Sequence, residues 1–103
     1  MAKRRRKANF GSSNEVHLRE AERALEWANK NSRKANDALD EGKCQETIQA
    51  MLHIRRELGV AHAHLQGMSA STKKTELTEK HDSIDRELFN IVRDTFKECK
   101  ISR

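Results

Sequence analysis

The chain has 103 residues, of which 35% are hydrophobic and 36% charged, a size for one compact unit with a leaner core and a wetter surface than an average globular chain. The net charge of +5 sits in one place: Lys3, Arg4, Arg5, Arg6 and Lys7 are five of the 21 basic residues, so 16 remain against 16 acidic ones in the rest. No apolar run reaches the ~20 residues of a bilayer span and the N-terminus lacks the apolar stretch of a secretory signal, so the expected setting is soluble, either cytoplasmic or within a virion, and not secreted.

Residues 1–11 are expected to be a flexible arm. A block of like charge repels itself and has nothing apolar to bury, which predicts disorder over residues 1–9 in the free protein. Three roles compete for Lys3, Arg4, Arg5, Arg6 and Lys7: neutralising nucleic-acid phosphates with release of counterions, docking on an acidic protein surface, or nuclear targeting; a solvated tail is the alternative to all three.

The absence of Pro favours long uninterrupted helices, because Pro removes a backbone donor and clashes with the preceding turn. Gly11 marks a hinge, and Ser12 with Glu15 has the S-x-x-E spacing of a capping box. A first helix is predicted over about 13–41. In it Leu18, Ala21, Leu25, Ala28, Ser32, Ala35 and Leu39 recur at alternating intervals of three and four, a heptad seam whose small side chains let a neighbouring helix approach closely. Trp27 lies off the seam and is read as packing at the core edge, with an exposed contact site as the alternative.

Gly42 is placed to end that helix by taking a left-handed conformation. So short a turn makes the second helix, about 44–66, antiparallel to the first. It carries a broad apolar face of Ile48, Met51, Leu52, Ile54, Leu58, Ala61 and Leu65, and Gly59 inside it marks either a close helix contact or a bend. The polar stretch from Gly67 to Thr75 reads as a loop, with Thr72 or Thr75 as the next N-cap.

A third helix is predicted over about 76–99, with Leu77, Ile84, Leu88 and Ile91 on one stripe and Phe89, Val92 and Phe96 on an adjoining one. This second half is apolar over more of its circumference than one seam needs. Either it covers both other helices, or it leaves Phe89 or Phe96 for a partner. The fold class expected is therefore all-α: an antiparallel three-helix bundle over residues 12–103 with a basic arm before it.

The motifs that would carry enzyme or metal chemistry are weak. Cys44 and Cys99 have neither C-x-x-C nor zinc-ligand spacing and read as small core or boundary residues. His62 and His64, two apart on a helix, project to different sides. His81 with Asp85 and Glu22 with Glu26 share faces at i,i+4, but two ligands fall short of a structural site. No Gly-rich phosphate loop is present, and Glu15, Glu20, Glu57 and Asp94 read as surface or capping charges. No metal, cofactor, catalytic residue or small-molecule substrate is expected. Lys73, Lys74 and Lys80 with Arg55 and Arg56 would extend the basic footprint if they fold onto one side.

The stretch Phe10-Gly11-Ser12-Ser13 with His17, the Ala-rich helix, Gly42 with Cys44, and a second helix containing Ala61 and His62 resembles small helical proteins encoded by phages and prophages. That resemblance covers about residues 8–67 and implies a place in a virion or mobile element as an assembly or packaged component. The expected function is a non-enzymatic interaction protein that docks in an assembly or homo-oligomer through its bundle, with Trp27, Phe89 and Phe96 as candidate partner-facing residues. Its arm would touch nucleic acid or an acidic partner. A free cytoplasmic nucleic-acid-associated regulator is the alternative.

Overall fold

In a computed structural model, which describes the backbone of residues 2–100 and the side chains of residues 14–100, the chain forms three helices: α1 (Ala2–Asp40), α2 (Cys44–Gln66) and α3 (Thr72–Cys99). All three pack on one another, and no strand occurs among the described residues. This is the all-α three-helix bundle expected from the heptad stripes. α1 is continuous from Ala2, so the helix start expected near residue 13, the Gly11 hinge and the Ser12 cap fall inside it, and residues 2–11, expected as a flexible arm, are its first turns; the Lys3, Arg4, Arg5, Arg6 and Lys7 contact set lies outside the residues whose side chains are described.

The α1–α2 turn works as Gly42 implies. Gly42 adopts φ +73°, its N–H donates to the Leu39 carbonyl at 3.0 Å, and the Lys43 N–H donates to the Ala38 carbonyl at 2.8 Å. These are the two bonds of a Schellman ending, which satisfy carbonyls the helix leaves over. The chain then reverses into α2, whose first turn is fastened by Thr47: its Oγ1–H donates to the Lys43 carbonyl at 2.9 Å, so this buried hydroxyl is satisfied locally.

At the other end of α2 the connection to α3 is shorter than predicted. α3 starts at Thr72 and its N-cap is Ser71, whose hydroxyl accepts from the Lys74 N–H at 3.1 Å. The expected caps Thr72 and Thr75 are both inside the helix, because Ser71 already supplies an oxygen three residues before a free N–H. Met68, in a stretch read as uniformly polar, is buried and joins the core. The loop is tied to α1 by the Asn14 side chain, which accepts from the Ser69 N–H at 3.0 Å. A Cβ at Gly67 would lie 2.7 Å from the His17 ring, so a larger residue there must displace that side chain.

The core follows the predicted seams with two corrections. Ala21, Leu25, Ala28, Ser32 and Ala35 of α1, Ile54, Leu58, Ala61 and Leu65 of α2, and Leu77, Ile84, Leu88 and Ile91 of α3 are buried, joined by Ala24, Ala38 and Ala50. Leu52 is not part of the apolar face assigned to α2, being 63% exposed; the buried arc centres on Thr47, Ile54, Leu58, Ala61 and Leu65, and Leu52 projects well outside it. The second correction is that Cys44 and Cys99 are not two separate small residues: they are disulfide-bonded, with Cα atoms 5.9 Å apart. Antiparallel packing brings the first residue of α2 beside the last of α3, so a sequence separation of 55 becomes contact.

Candidate interaction surface

Three observations fix the register of α2 against α3. Cys44 is bonded to Cys99, the Met51 sulfur lies 3.6 Å from Thr95 Oγ1, and the His62 and His81 ring centroids are 5.9 Å apart. The Thr95 hydroxyl donates to the Ile91 carbonyl at 2.6 Å, so the sulfur contact is packing and the buried oxygen is satisfied within its own helix. This antiparallel register puts Leu52 level with the segment of α3 that carries Phe89, Val92 and Phe96. Phe89 is 69% and Phe96 54% exposed. The two roles open to this stripe are divided: Val92 packs against the core beside the buried Leu88, Ile91 and Thr95, while the two phenylalanines stay exposed.

Trp27 is 51% exposed, which corrects its reading as a packed core-edge residue. Four positions further along α1, Asn31 lines a shallow cleft with Gln49 and His53 of α2. α3 meets α1 on another flank, where the Asn36 amide donates to Glu87 at 3.3 Å. The face of the indole is met by the Lys30 ammonium 5.0 Å from the ring centroid, a cation–π contact. Every Phe and Trp side chain among the described residues is thus more than half exposed.

The histidines divide as their spacing predicts. His64 Nδ1 lies 2.9 Å from His17 Nδ1, so one ring donates and the other accepts, which requires opposite tautomers at those atoms. His62 turns to the other side, toward His81. His81 engages Asp82, with Nδ1 3.0 Å from Oδ1, in place of the Asp85 partner suggested by helical spacing. A cleft of about 410 Å³ opens here among His62, Lys74, Thr78, His81 and Asp82. Among the described residues no group of three or more His, Cys, Asp or Glu converges as a metal site would require.

Lys73, Lys74 and Lys80 do not fold onto one side with Arg55 and Arg56. Lys73 and Lys80 line a cleft with Glu22, Glu26 and Glu76 between α1 and α3, and Lys73 Nζ is 4.0 Å from Glu22 and 3.9 Å from Glu76. Arg55 lies on the α2–α3 side. Lys74 Nζ donates to the Met68 carbonyl at 3.1 Å and serves the loop. At the α1–α2 turn, Lys43 is hydrogen-bonded to Glu41 at 2.9 Å; that bond, with the charges of Glu41 and Glu46, holds its ammonium above the usual lysine range.

Trp27, Phe89 and Phe96, the partner-facing candidates of the sequence, are exposed, and so is Leu52, which the sequence had placed on the apolar face of α2. Exposure of Leu52 had a signal, since it sits two residues before Ile54, on the opposite side of the helix and outside the narrow arc of a three-helix core. No helix among the described residues is long and apolar enough to cross a membrane. Comparison with family models, with curated proteins and with solved structures finds no match for this chain.

Proposed function

We propose that this chain is a non-enzymatic interaction protein that docks in a larger assembly through its bundle and touches nucleic acid or an acidic surface through Lys3, Arg4, Arg5, Arg6 and Lys7. The observation that carries the reading is the placement of Trp27, Phe89 and Phe96 at the surface. Aromatic side chains are the largest apolar groups a small domain can bury, and they are enriched at binding interfaces. A core built mainly from alanine, leucine and isoleucine while the aromatics among the described residues face outward fits a protein whose partner supplies the missing cover.

The Cys44–Cys99 bridge adds a condition. Bonded cysteines persist in oxidising surroundings and are rare in a reducing cytosol, so the bridge argues against a permanently cytoplasmic protein. A particle component that is made inside a cell and works outside it accommodates the bond.

A photo-crosslinking residue placed at position 89 or 96 of the full chain tests the docking role. Capture of one partner at fixed stoichiometry supports it, with an exposed control at position 33 remaining silent. A protein that stays a free monomer on DNA, with nothing captured at either position, overturns the assembly role in favour of a nucleic-acid-associated regulator. For the basic segment, duplex affinity should fall with salt with a log–log slope near −4.5 if all five residues contact phosphates, from about −0.9 per contact. Deleting residues 1–9 should abolish that binding.

A further inference from the structure

Leu52 of α2 and Phe89 and Phe96 of α3 are exposed, and the antiparallel register sets them at about the same level of the two helices, beside the groove between α2 and α3. Beyond Phe89 the groove continues past Arg55, Gly59 and Asp85 to His62 and His81. From the level of His81 to that of Phe96 it spans 15 residues of α3, roughly 22 Å at 1.5 Å per residue, or about four helical turns.

Gly59 forms part of the groove wall, and no heavy atom lies within 4 Å of the place a Cβ would occupy. Its φ is not in the left-handed region. Nothing inside this chain therefore requires glycine there, although glycine weakens a helix interior relative to alanine. A glycine at the surface of a groove lets an outside backbone approach closely.

The charges around Leu52, Phe89 and Phe96 identify what approaches. On a helix surface the neighbours of a residue are those three and four positions away. For Leu52, Phe89 and Phe96 these neighbours include Arg55, Arg56, Arg86, Arg93 and Lys100, against Asp85 alone of opposite sign. Among the described residues Arg55, Arg56 and Arg86 enter no ion pair, and Arg93 meets only its sequence neighbour Asp94, at 3.4 Å. A partner bearing carboxylates would neutralise this basic rim.

We propose that the α2–α3 groove is the docking site for an acidic amphipathic helix of another protein, about four turns long. Its apolar stripe packs on Leu52, Phe89 and Phe96, its carboxylates meet Arg55, Arg86 and Arg93, and its backbone passes closest at Gly59. The mode is a helix laid in a groove and read through anchors at i, i+3, i+4 and i+7. This assignment rests on the docking role proposed above and specifies its site and partner chemistry.

The test uses the full disulfide-bonded chain and two synthetic helical peptides that share one leucine stripe, one flanked by glutamates and the other by lysines. Calorimetry at low salt should give at least tenfold tighter binding for the glutamate peptide, with amide shifts confined to the α2–α3 groove. Phe89→Ser and Gly59→Leu should each weaken it at least tenfold without shifting the melting temperature downward by more than a few degrees. Arg55→Glu with Arg93→Glu should reverse the preference toward the lysine peptide. Equal binding of both peptides, no binding of either, or shifts centred on Trp27 would overturn the proposal. So would a concentration-dependent dimer lost in Phe89→Ser, which assigns the groove to a second copy. Binding of duplex DNA or of phosphatidylcholine–phosphatidylserine vesicles that Phe89→Ser abolishes, with the glutamate peptide inert, assigns it to a polyanion or a lipid surface. If the peptides fail while crosslinking from position 89 still captures a partner, the docking role stands and only the acidic-helix assignment falls.

Discussion

The contact of α1 with α2 is lined by alanines, whereas α3 is attached through leucine and isoleucine. Ala21, Ala24, Ala28, Ala35 and Ala38 on α1 and Ala50 and Ala61 on α2 are buried; α3 contains no alanine and buries Leu77, Ile84, Leu88 and Ile91. The two attachments draw on different physics. A buried alanine removes little apolar area from water, so the α1–α2 seam depends on close backbone approach and dense van der Waals contact. α3 gains from transferring large side chains out of water and is clamped at its far end by the Cys44–Cys99 bond. The alanine seam should resist enlargement and the α3 seam should resist truncation.

That contrast can be broken first at the clamp. Replacing both cysteines by serine releases a loop of 55 residues' separation, which the chain-entropy account values at roughly 4 kcal/mol. Urea unfolding should show the loss in the variant and in the reduced wild type alike. Matching midpoints for oxidised and reduced protein would mean that the bond does not stabilise the attachment of α3.

The next effect compares truncations. Leu25→Ala, at a fully buried position in the middle of α1, should cost about 3 kcal/mol, and Leu88→Ala, beside the open groove, about 2 kcal/mol because its neighbours can collapse into the space. A reversed order in thermal denaturation would place the centre of the core nearer the groove. Enlargement comes next: Ala28→Leu forces added atoms into a seam with no exposed surface at that position and should cost about 2 kcal/mol, where a tolerant melting curve would show that the seam is looser than its alanines imply.

The smallest change should stabilise. Ser32 is buried, and its Oγ has no hydrogen-bond partner among the described residues, so an orphaned hydroxyl interrupts the small-residue seam. Ser32→Ala removes it without changing shape and should raise stability by about 1 kcal/mol. A loss of stability would reveal an unseen partner for the hydroxyl.

How far the sequence could be read depended on whether the deciding contact was local. The Leu18-to-Leu39 seam, the Gly42 turn and the α3 stripe are set by intervals of three and four and by one residue's backbone preference, all visible along the chain. The disulfide was illegible because it depends on where the end of α3 comes to lie. Ser71 and Met68 were hidden in a stretch whose composition read as loop throughout, although Ser71 precedes Lys74 at capping distance. Trp27, Phe89 and Phe96 were identifiable as residues lying off the seams, but their exposure turns on which flank of each helix the third one covers. A wheel drawn for a single helix does not contain that information.

The disulfide also governs how the chain responds to a cut. Residues 44–99 form a closed covalent ring containing α2, the connecting loop and α3, and α1 is joined to that ring only through residues 41–43. A protease that cuts the loop at residues 67–71 leaves all three helices chained together, visible as one band until reductant is added. A cut at residues 41–43 breaks the one covalent link between α1, with its indole and the basic segment, and a ring that keeps Leu52, Phe89 and Phe96. The bond therefore decides which single cleavage leaves one covalent molecule and which leaves two pieces held by packing alone.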